Sequence, residues 1–260
     1  MLKPRLIFTL LYENGNFMLS RNFRLQKVGD IQWLEKNYNF SKIAFSIDEL
    51  IILDVSRNRD DRRGFCEAVK QLNKSCFVPI AAGGGVTDLN YASDLFKFGA
   101  DKIVLNSSLH HNPNLCKEII SNYGKQCLVA SVDVAAVDNE YKVRIENGKK
   151  DLSLSLKEWL EFILELNVGE IYLNSIDRDG TGQGYKFELL DCLPDQIPVP
   201  LIIAGGAGNQ KHLLEGLRDE RIDAIATAHL FNFVGDGLRL ARRSIIENGY
   251  DLPSWDIDLA

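Results

Sequence analysis

A closed (β/α)8 barrel is the fold class this sequence predicts, and three observations predict it. Short apolar runs alternate with longer amphipathic segments along the chain, the pattern of a parallel sheet covered by helices. Eight such runs occur, the number one barrel needs. The chain also repeats itself. Val78-Pro79-Ile80-Ala81-Ala82-Gly83-Gly84-Gly85 echoes Val199-Pro200-Leu201-Ile202-Ile203-Ala204-Gly205-Gly206-Ala207-Gly208. Gly83 and Gly205, Asn106-Ser107 and Ala228-His229, and Leu11 and Asp133 recur at one common spacing. Two (β/α)4 halves, about 1–122 and 123–260, therefore close into one barrel. No Pro-, Gly- or Ser-rich linker divides them, so 1–260 reads as a single domain.

In chain order, the strand-like runs fall at 6–11, 50–55, 77–82, 102–105, 128–134, 171–174, 201–204 and 224–227. Helical patterns lie between most of them, for example at 88–98, 112–123, 155–166 and 210–218. One hairpin interrupts the scheme. Segments 141–145 and 152–156 flank Asn147-Gly148, a type I′ turn signal. Because it follows the fifth strand, it belongs on the C-terminal rim, where the active-site loops of a barrel lie.

Composition bounds the function. The 260 residues are 45% hydrophobic and 25% charged, enough for a large core and too apolar for disorder. A net charge of −6 argues against non-specific nucleic-acid binding, which needs basic surface. It does not argue against a small anionic ligand, which backbone dipoles can hold. The five cysteines, Cys66, Cys76, Cys116, Cys127 and Cys192, match no zinc or redox spacing and read as reduced thiols. Segment 6–12 is too short for a signal-peptide core, and no run approaches the roughly 18 apolar residues of a membrane span. A cytoplasmic protein is expected, with no metal, cofactor, nucleic acid or membrane among its partners. His110 and His111 are adjacent and cannot share a helix face, and His212 reads as a surface helix residue.

Two kinds of residue carry chemistry. Gly83-Gly84-Gly85 and Gly205-Gly206 each follow a strand and precede a helix. Glycine lets backbone N–H groups approach an anion closely, and equivalent clusters in both halves point to two phosphate sites across one mouth. Asn106-Ser107 and Ala228-His229, at the next strand–helix junction of each half, can complete the cradles. The second kind is the acidic strand end. Asp133 lies within the apolar run Ser131-Val132-Asp133-Val134-Ala135-Ala136, where burial can tune a general acid or base. Asp54 lies near the end of the second strand, and Asp177-Arg178-Asp179-Gly180 follows the sixth.

Together these residues resemble the cyclase subunit of imidazole glycerol phosphate synthase, the HisF family, over nearly the whole chain. The resemblance rests on Asn14-Gly15 with Asn22-Phe23, Ile47-Asp48-Glu49-Leu50-Ile51-Ile52-Leu53-Asp54, Gly83-Gly84-Gly85, Gly99-Ala100-Asp101-Lys102 and Ala204-Gly205-Gly206-Ala207-Gly208. Its most specific part is Ser175-Ile176-Asp177-Arg178-Asp179-Gly180-Thr181. The sister isomerase of histidine biosynthesis shares the half-barrel repeat but not that run in this form.

The resemblance implies a heterodimer with a glutaminase subunit, HisH-like, docked at the bottom of the barrel. That partner supplies ammonia used to cleave and cyclise a bisphosphorylated substrate. It implies one phosphate at Gly85, Asn106 and Ser107, and another near Asp179, Gly180, Gly205, Gly206 and the Ala228-His229 turn. It matches Asp133 to one of two catalytic aspartates. Arg5, Glu49, Lys102 and Glu170 match the family's ring of two cations and two anions that gates ammonia, and Asp101 matches a residue that contacts the glutaminase.

The departures from the family cluster at the mouth. The family ends its first strand with Cys-Leu-Asp-Val, and here Thr9-Leu10-Leu11-Tyr12 stands instead, so the other catalytic aspartate is Leu11. A lysine of the family's lid aligns with Leu19, with Arg21 nearby, and serines of the second phosphate turn align with Ala204 and His229. Paralogues of the family that accompany glutaminases in amidinating sugars of bacterial surface glycans resemble this chain in losing the first aspartate, and there a third amidotransferase component can take the ammonia. The resemblance thus leaves three functions open. One is a synthase subunit for such a paralogous pathway, one an authentic histidine-pathway cyclase, and one a non-catalytic conduit that activates a glutaminase. A phospho-sugar isomerase is disfavoured by the missing acid–base partner.

Overall fold

The computed structural model describes residues 3–38, 43–58, 61–138, 140–228 and 237–253. The chain opens with β1 (Arg5–Glu13) and a hairpin of β2 (Asn16–Arg21) and β3 (Arg24–Gly29). Next come β4 (Glu49–Asp54), β5 (Ile80–Gly83), β6 (Lys102–Leu105) and β7 (Leu128–Val137). A second hairpin, β8 (Glu140–Ile145) with β9 (Lys150–Asp151), precedes β10 (Glu170–Ser175), β11 (Leu201–Ala204) and β12 (Ala224–Thr227). Strands β1, β4, β5, β6, β7, β10, β11 and β12 pair in parallel in that order, and β12 pairs back to β1, so the sheet closes on itself. The fold is the TIM barrel the sequence predicts.

Each strand divides its side chains between two cores, as the two-residue period of a strand requires. In β1, Leu6, Phe8 and Leu10 pack outward against the helices, while Ile7 points into the lumen with Ile51, Val104, Val129 and Ile202. The covering helices are Arg62–Ser75, Leu89–Lys97, Asn114–Tyr123, Leu156–Glu165, Gln210–Gly216 and Gly237–Glu247, and four of them start where side chains satisfy free N–H groups. Asp61, Asp88 and Asn209 cap three of them, and Ser155 with Glu158 forms a reciprocal capping box on a fourth. The five cysteines are free, and among the described residues no helix is long and apolar enough to cross a membrane.

The half-barrel repeat is visible in the register. Leu11 lies beside Leu53 and Asp133 beside Asn174, so Leu11 and Asp133 occupy equivalent places. Leu53 also lies beside Gly83, whereas Asn174 lies beside Ala204. The equivalence of the glycine clusters therefore shifts by one residue from the spacing of Gly83 and Gly205. Gly84-Gly85 corresponds to Gly205-Gly206, and all four have positive φ. At the strand starts, Asp101 Oδ2 accepts from the Ile80 N–H at 2.8 Å, and Asp223 Oδ2 accepts from that of Leu201 at 2.9 Å. Each ties one barrel strand to the next at matching points of the two halves.

Two elements differ from expectation. The rim hairpin turns at Asn147-Gly148 as predicted, but its second arm is Lys150–Asp151, and 152–156 is not a strand. Leu156 begins a helix instead, because Ser155 caps it. The β2–β3 hairpin was not expected at all. Its flanking turns run through Asn14-Gly15 and Asn22-Phe23, all four at positive φ.

Candidate functional site

The C-terminal mouth holds a cavity of about 420 Å³. Asp133, Gly85, Asn106, Ser107, Asp179, Gly180, Gly205, Gly206 and Ala228 all line it, so the mouth gathers these predicted residues from both halves. His229 lies outside the described residues.

Asp133 sits at the cavity floor between two amides. Asn174 Nδ2 donates to its Oδ1 at 2.9 Å, and Asn106 Nδ2 donates to its Oδ2 at 3.1 Å. Burial pushes the Asp133 carboxyl up to about 7, opposed by the Asn174 bond and helped by the charge of Asp179. A carboxyl poised there exchanges a proton near neutral pH, as a general acid or base must. The partner that a two-carboxylate mechanism would need is absent from the facing position, since Leu11 fills it.

The glycine turns are tight. A Cβ on Gly84 would stand 2.0 Å from the Asp54 carbonyl oxygen, and one on Gly206 would stand 2.0 Å from that of Gly184. With positive φ as well, only glycine fits at these two turns, which pack against the neighbouring backbone. Ser107 Oγ is already engaged, donating to Asn106 Oδ1 at 3.2 Å and accepting from the Glu146 N–H at 2.9 Å. Sequence reasoning missed the cations that share the cavity lining, Arg24, Arg57 and Lys149, which join Arg21. Their signal was weak, because each lies in a polar loop or hairpin where basic residues are ordinary.

The β2–β3 hairpin leans over this mouth. Its tip binds the Ser175–Thr181 segment. Asn22 Nδ2 donates to the carbonyls of Ile176 and Asp177 at 3.0 and 2.8 Å, and the Phe23 N–H donates to Asp179 Oδ2 at 3.1 Å. Ser20 Oγ donates to the same oxygen. Burial raises the Asp179 carboxyl, and those two bonds pull against it. The contact needs Gly180 and Gly148, since a Cβ at the first would strike the Ser20 carbonyl and at the second the Phe23 ring.

At the opposite end, Arg5, Glu49, Lys102 and Glu170 meet. Arg5 Nη1 lies 2.8 Å from Glu49 Oε2 and 3.1 Å from Glu170 Oε1, and Lys102 Nζ lies 2.9 Å from each of the same two oxygens. Burial pushes the Glu49 carboxyl up against the pull of Lys102 and Arg5. Burial alone would lower Arg5, but Glu170 and Glu49 hold it above its usual value. The ring is neutral, and every member touches two of opposite sign. Asp101 is exposed next to it, with one oxygen committed to Ile80.

Between ring and mouth lies the aliphatic layer, crossed by one polar contact that the sequence did not foretell. Tyr172 Oη lies 3.2 Å from Thr9 Oγ1, both buried in the lumen at the floor of the mouth cavity. Among the described residues no group of three or more His, Cys, Asp or Glu gathers where it could hold a metal ion.

A model of the histidine biosynthesis protein family matches residues 26–235. A protein of Parasynechococcus marenigrum, provisionally named imidazole glycerol phosphate synthase subunit hisF2, is 48% identical over 242 residues, covering 93% of this chain and 90% of that one. The imidazole glycerol phosphate synthase subunit HisF of Chlorobaculum tepidum is 36% identical over 250 residues, covering 96% and 98%. That of Chloroherpeton thalassium is also 36% identical over 250 residues, with the same coverage.

Proposed function

We propose a function from the premise that this chain belongs to the histidine biosynthesis protein family, within its HisF branch. The protein is the synthase-type subunit of a glutamine amidotransferase complex. It takes ammonia from a glutaminase at the strand-start face and delivers it to a phosphorylated small molecule at the mouth. The pathway is a paralogous one, such as amidination of a surface-glycan sugar, rather than histidine synthesis. One observation carries this reading. Within one chain, the charged ring at the base is complete while the mouth has leucine where the second acid–base aspartate would stand.

The chemistry of each layer fits that division of labour. The ring is balanced, so its pairs can part and re-form without leaving a lone charge for long. The aliphatic layer above it passes neutral ammonia but strips an ammonium ion of water without repayment, which disfavours the ion. In the mouth, Asp133 can give or accept one proton beside the arriving nitrogen. The glycine turns and the four cations suit an anionic ligand. The base face also exposes Phe77, which is half-exposed and packs edge-on to Phe45 at 4.8 Å. With Pro4 and Pro79 it surrounds a hollow beside Arg5, an apolar surface of the kind that partners cover.

A second reading is favoured by Leu11 itself: a conduit that activates the glutaminase and hands ammonia to a third amidotransferase component without chemistry of its own.

The test is glutamine hydrolysis by a HisH-type glutaminase, with and without this protein. Wild type should stimulate it. Asp101→Asn, which keeps an acceptor for the Ile80 N–H while removing the charge, should weaken stimulation. Asp133→Asn should leave it intact. No stimulation by wild type, or equal loss in both variants, would remove the case for a partner at the base and leave the ring as a plug.

A further inference from the structure

The reading above leaves the mouth ligand as a phosphorylated small molecule, and the strand register narrows it. Leu11 and Leu53 are neighbours, and both are partly buried and line the cavity. Beside Leu53 lies Gly83, which runs into the Gly84-Gly85 turn. Then come Asn106, Asp133 and Asn174, on or just after β6, β7 and β10. Beside Asn174 lies Ala204, which runs into Gly205-Gly206. Ala226 and Ala228 complete the circuit back to β1.

The two glycine turns follow β5 and β11, on opposite sides of the closed sheet, and they divide the rim into unlike arcs. The arc between them through β7 presents Asn106, Ser131, Asp133 and Asn174. The arc through β1 presents Ala226, Ala228, Leu11 and Leu53, and the hydroxyls of Thr9 and Thr227 on it are engaged by Tyr172 and the Ala207 carbonyl. The overhanging hairpin adds Leu19 and Leu25 from the same side, together with Ser20, Arg21, Arg24 and Gln26, and Arg57 borders it after β4. Asp54 also borders the cavity there, but its Oδ1 accepts from the Ser56 N–H at 2.9 Å. Leucines left facing a wet cavity mark a surface meant to be covered.

We propose that the mouth ligand is a phosphate ester with two unlike edges. A hydrogen-bonding edge lies against Asn106, Asp133 and Asn174. A hydrocarbon edge lies against Leu11, Leu53 and Leu19, and the anionic ends sit at the glycine turns between the two arcs. This rests on the phosphate reading of those turns. A ligand polar along both edges would leave its second set of donors and acceptors facing leucine. Each such group loses about tenfold or more in affinity.

The experiment compares three probes by calorimetry and amide NMR on the full chain: inorganic phosphate, glycerol phosphate and phenyl phosphate. All three should move the Gly85 and Gly206 amides, and phenyl phosphate should bind about tenfold more tightly than glycerol phosphate. Leu11→Asn should erase most of that advantage while leaving inorganic phosphate within about twofold. If phosphate binds but phenyl phosphate gains nothing over glycerol phosphate, the hydrocarbon edge is overturned and the phosphate reading stands. An advantage that survives both Leu11→Asn and Leu53→Asn places the ring elsewhere and also overturns it. Silence at both glycine amides with all three probes overturns the phosphate reading and this inference with it.

Discussion

The two ends of the lumen are made from the same strands, yet they treat charge differently. At the base, two anions and two cations are buried together and each contacts two partners. At the mouth, Asp133 is held only by neutral amides, and Leu11 occupies the place equivalent to it in the other half. A ring of charges is a poor route to stability. Well-packed apolar side chains of similar volume serve as well or better, because they avoid desolvation. A charged base under a mouth with leucine at that place is what the proposed function asks for, a ring kept for what it lets through or contacts rather than for stability.

The largest effect should appear where the mouth is asked to do the two-aspartate reaction. The chain should fail to support growth of a histidine auxotroph lacking its own cyclase, because losing one proton-transfer group costs about 10²–10⁴-fold. Robust growth would break the comparison, since it would make Leu11 compatible with the original chemistry.

Next in size is the base. Glu49→Ala strands Arg5 and Lys102 with only Glu170 between them and should destabilise the fold by about 3–5 kcal/mol, read from the denaturant midpoint. Replacing all four charges together with packed Leu and Met should restore most of that stability. It should still abolish stimulation of a glutaminase. A fourfold variant that is stable and fully stimulating would reduce the ring to a plug.

The third effect belongs to Asp133. Its carboxyl titrates at about 7 in the fold against an ordinary 3.8. Between those values the unfolded chain gives up the proton while the folded chain keeps it. Stability must then fall as pH rises from about 4 to about 7 and level off above. Asp133→Asn removes that slope. The variant should gain on wild type by on the order of 2–4 kcal/mol between pH 4 and pH 8, whatever the constant cost of facing an Asn amide toward Asn106 or Asn174. Parallel stability curves across that range would mean the carboxyl ionises without penalty and the mouth is wetter than its geometry implies.

These residues also mark how far the sequence could be read. The eight barrel strands were legible because strands buried on both faces appear as apolar runs, and glycines after them punctuate the turns. The same double burial hides which residues face the lumen. Nothing in Ile171-Tyr172-Leu173-Asn174 says that Tyr172 points to Thr9 and Asn174 to Asp133. The charged ring was legible through the resemblance to the HisF family, which matched Arg5, Glu49, Lys102 and Glu170 at the strand starts. The β2–β3 hairpin was not, although Asn14-Gly15 signals a turn. Its arms carry Asn16, Ser20, Arg24, Gln26 and Lys27, and one side faces solvent, so no apolar run longer than Phe17-Met18-Leu19 announces them.

That hairpin supplies the smallest predicted effect and the most local one. It is held to the Ser175–Thr181 segment by the Asn22 side chain, the Ser20 hydroxyl and the Phe23 N–H, the last two on a single Asp179 oxygen. Ser20→Ala removes one of two donors to a buried carboxylate, a loss of about 1–2 kcal/mol. Phe17 is anchored in the core and 16–18 pair with β1, but the outer part of the hairpin, 19–26, pairs only within itself, so that loss should fall on local opening there rather than on global unfolding. Amide exchange should quicken across 19–26 by roughly five- to thirtyfold, while exchange in the barrel strands and the denaturant midpoint stay put. A drop in the global midpoint with no local acceleration would mean that the hairpin unfolds only with the barrel. The leucines it brings to the mouth would then be part of a fixed wall rather than of a cover that can lift.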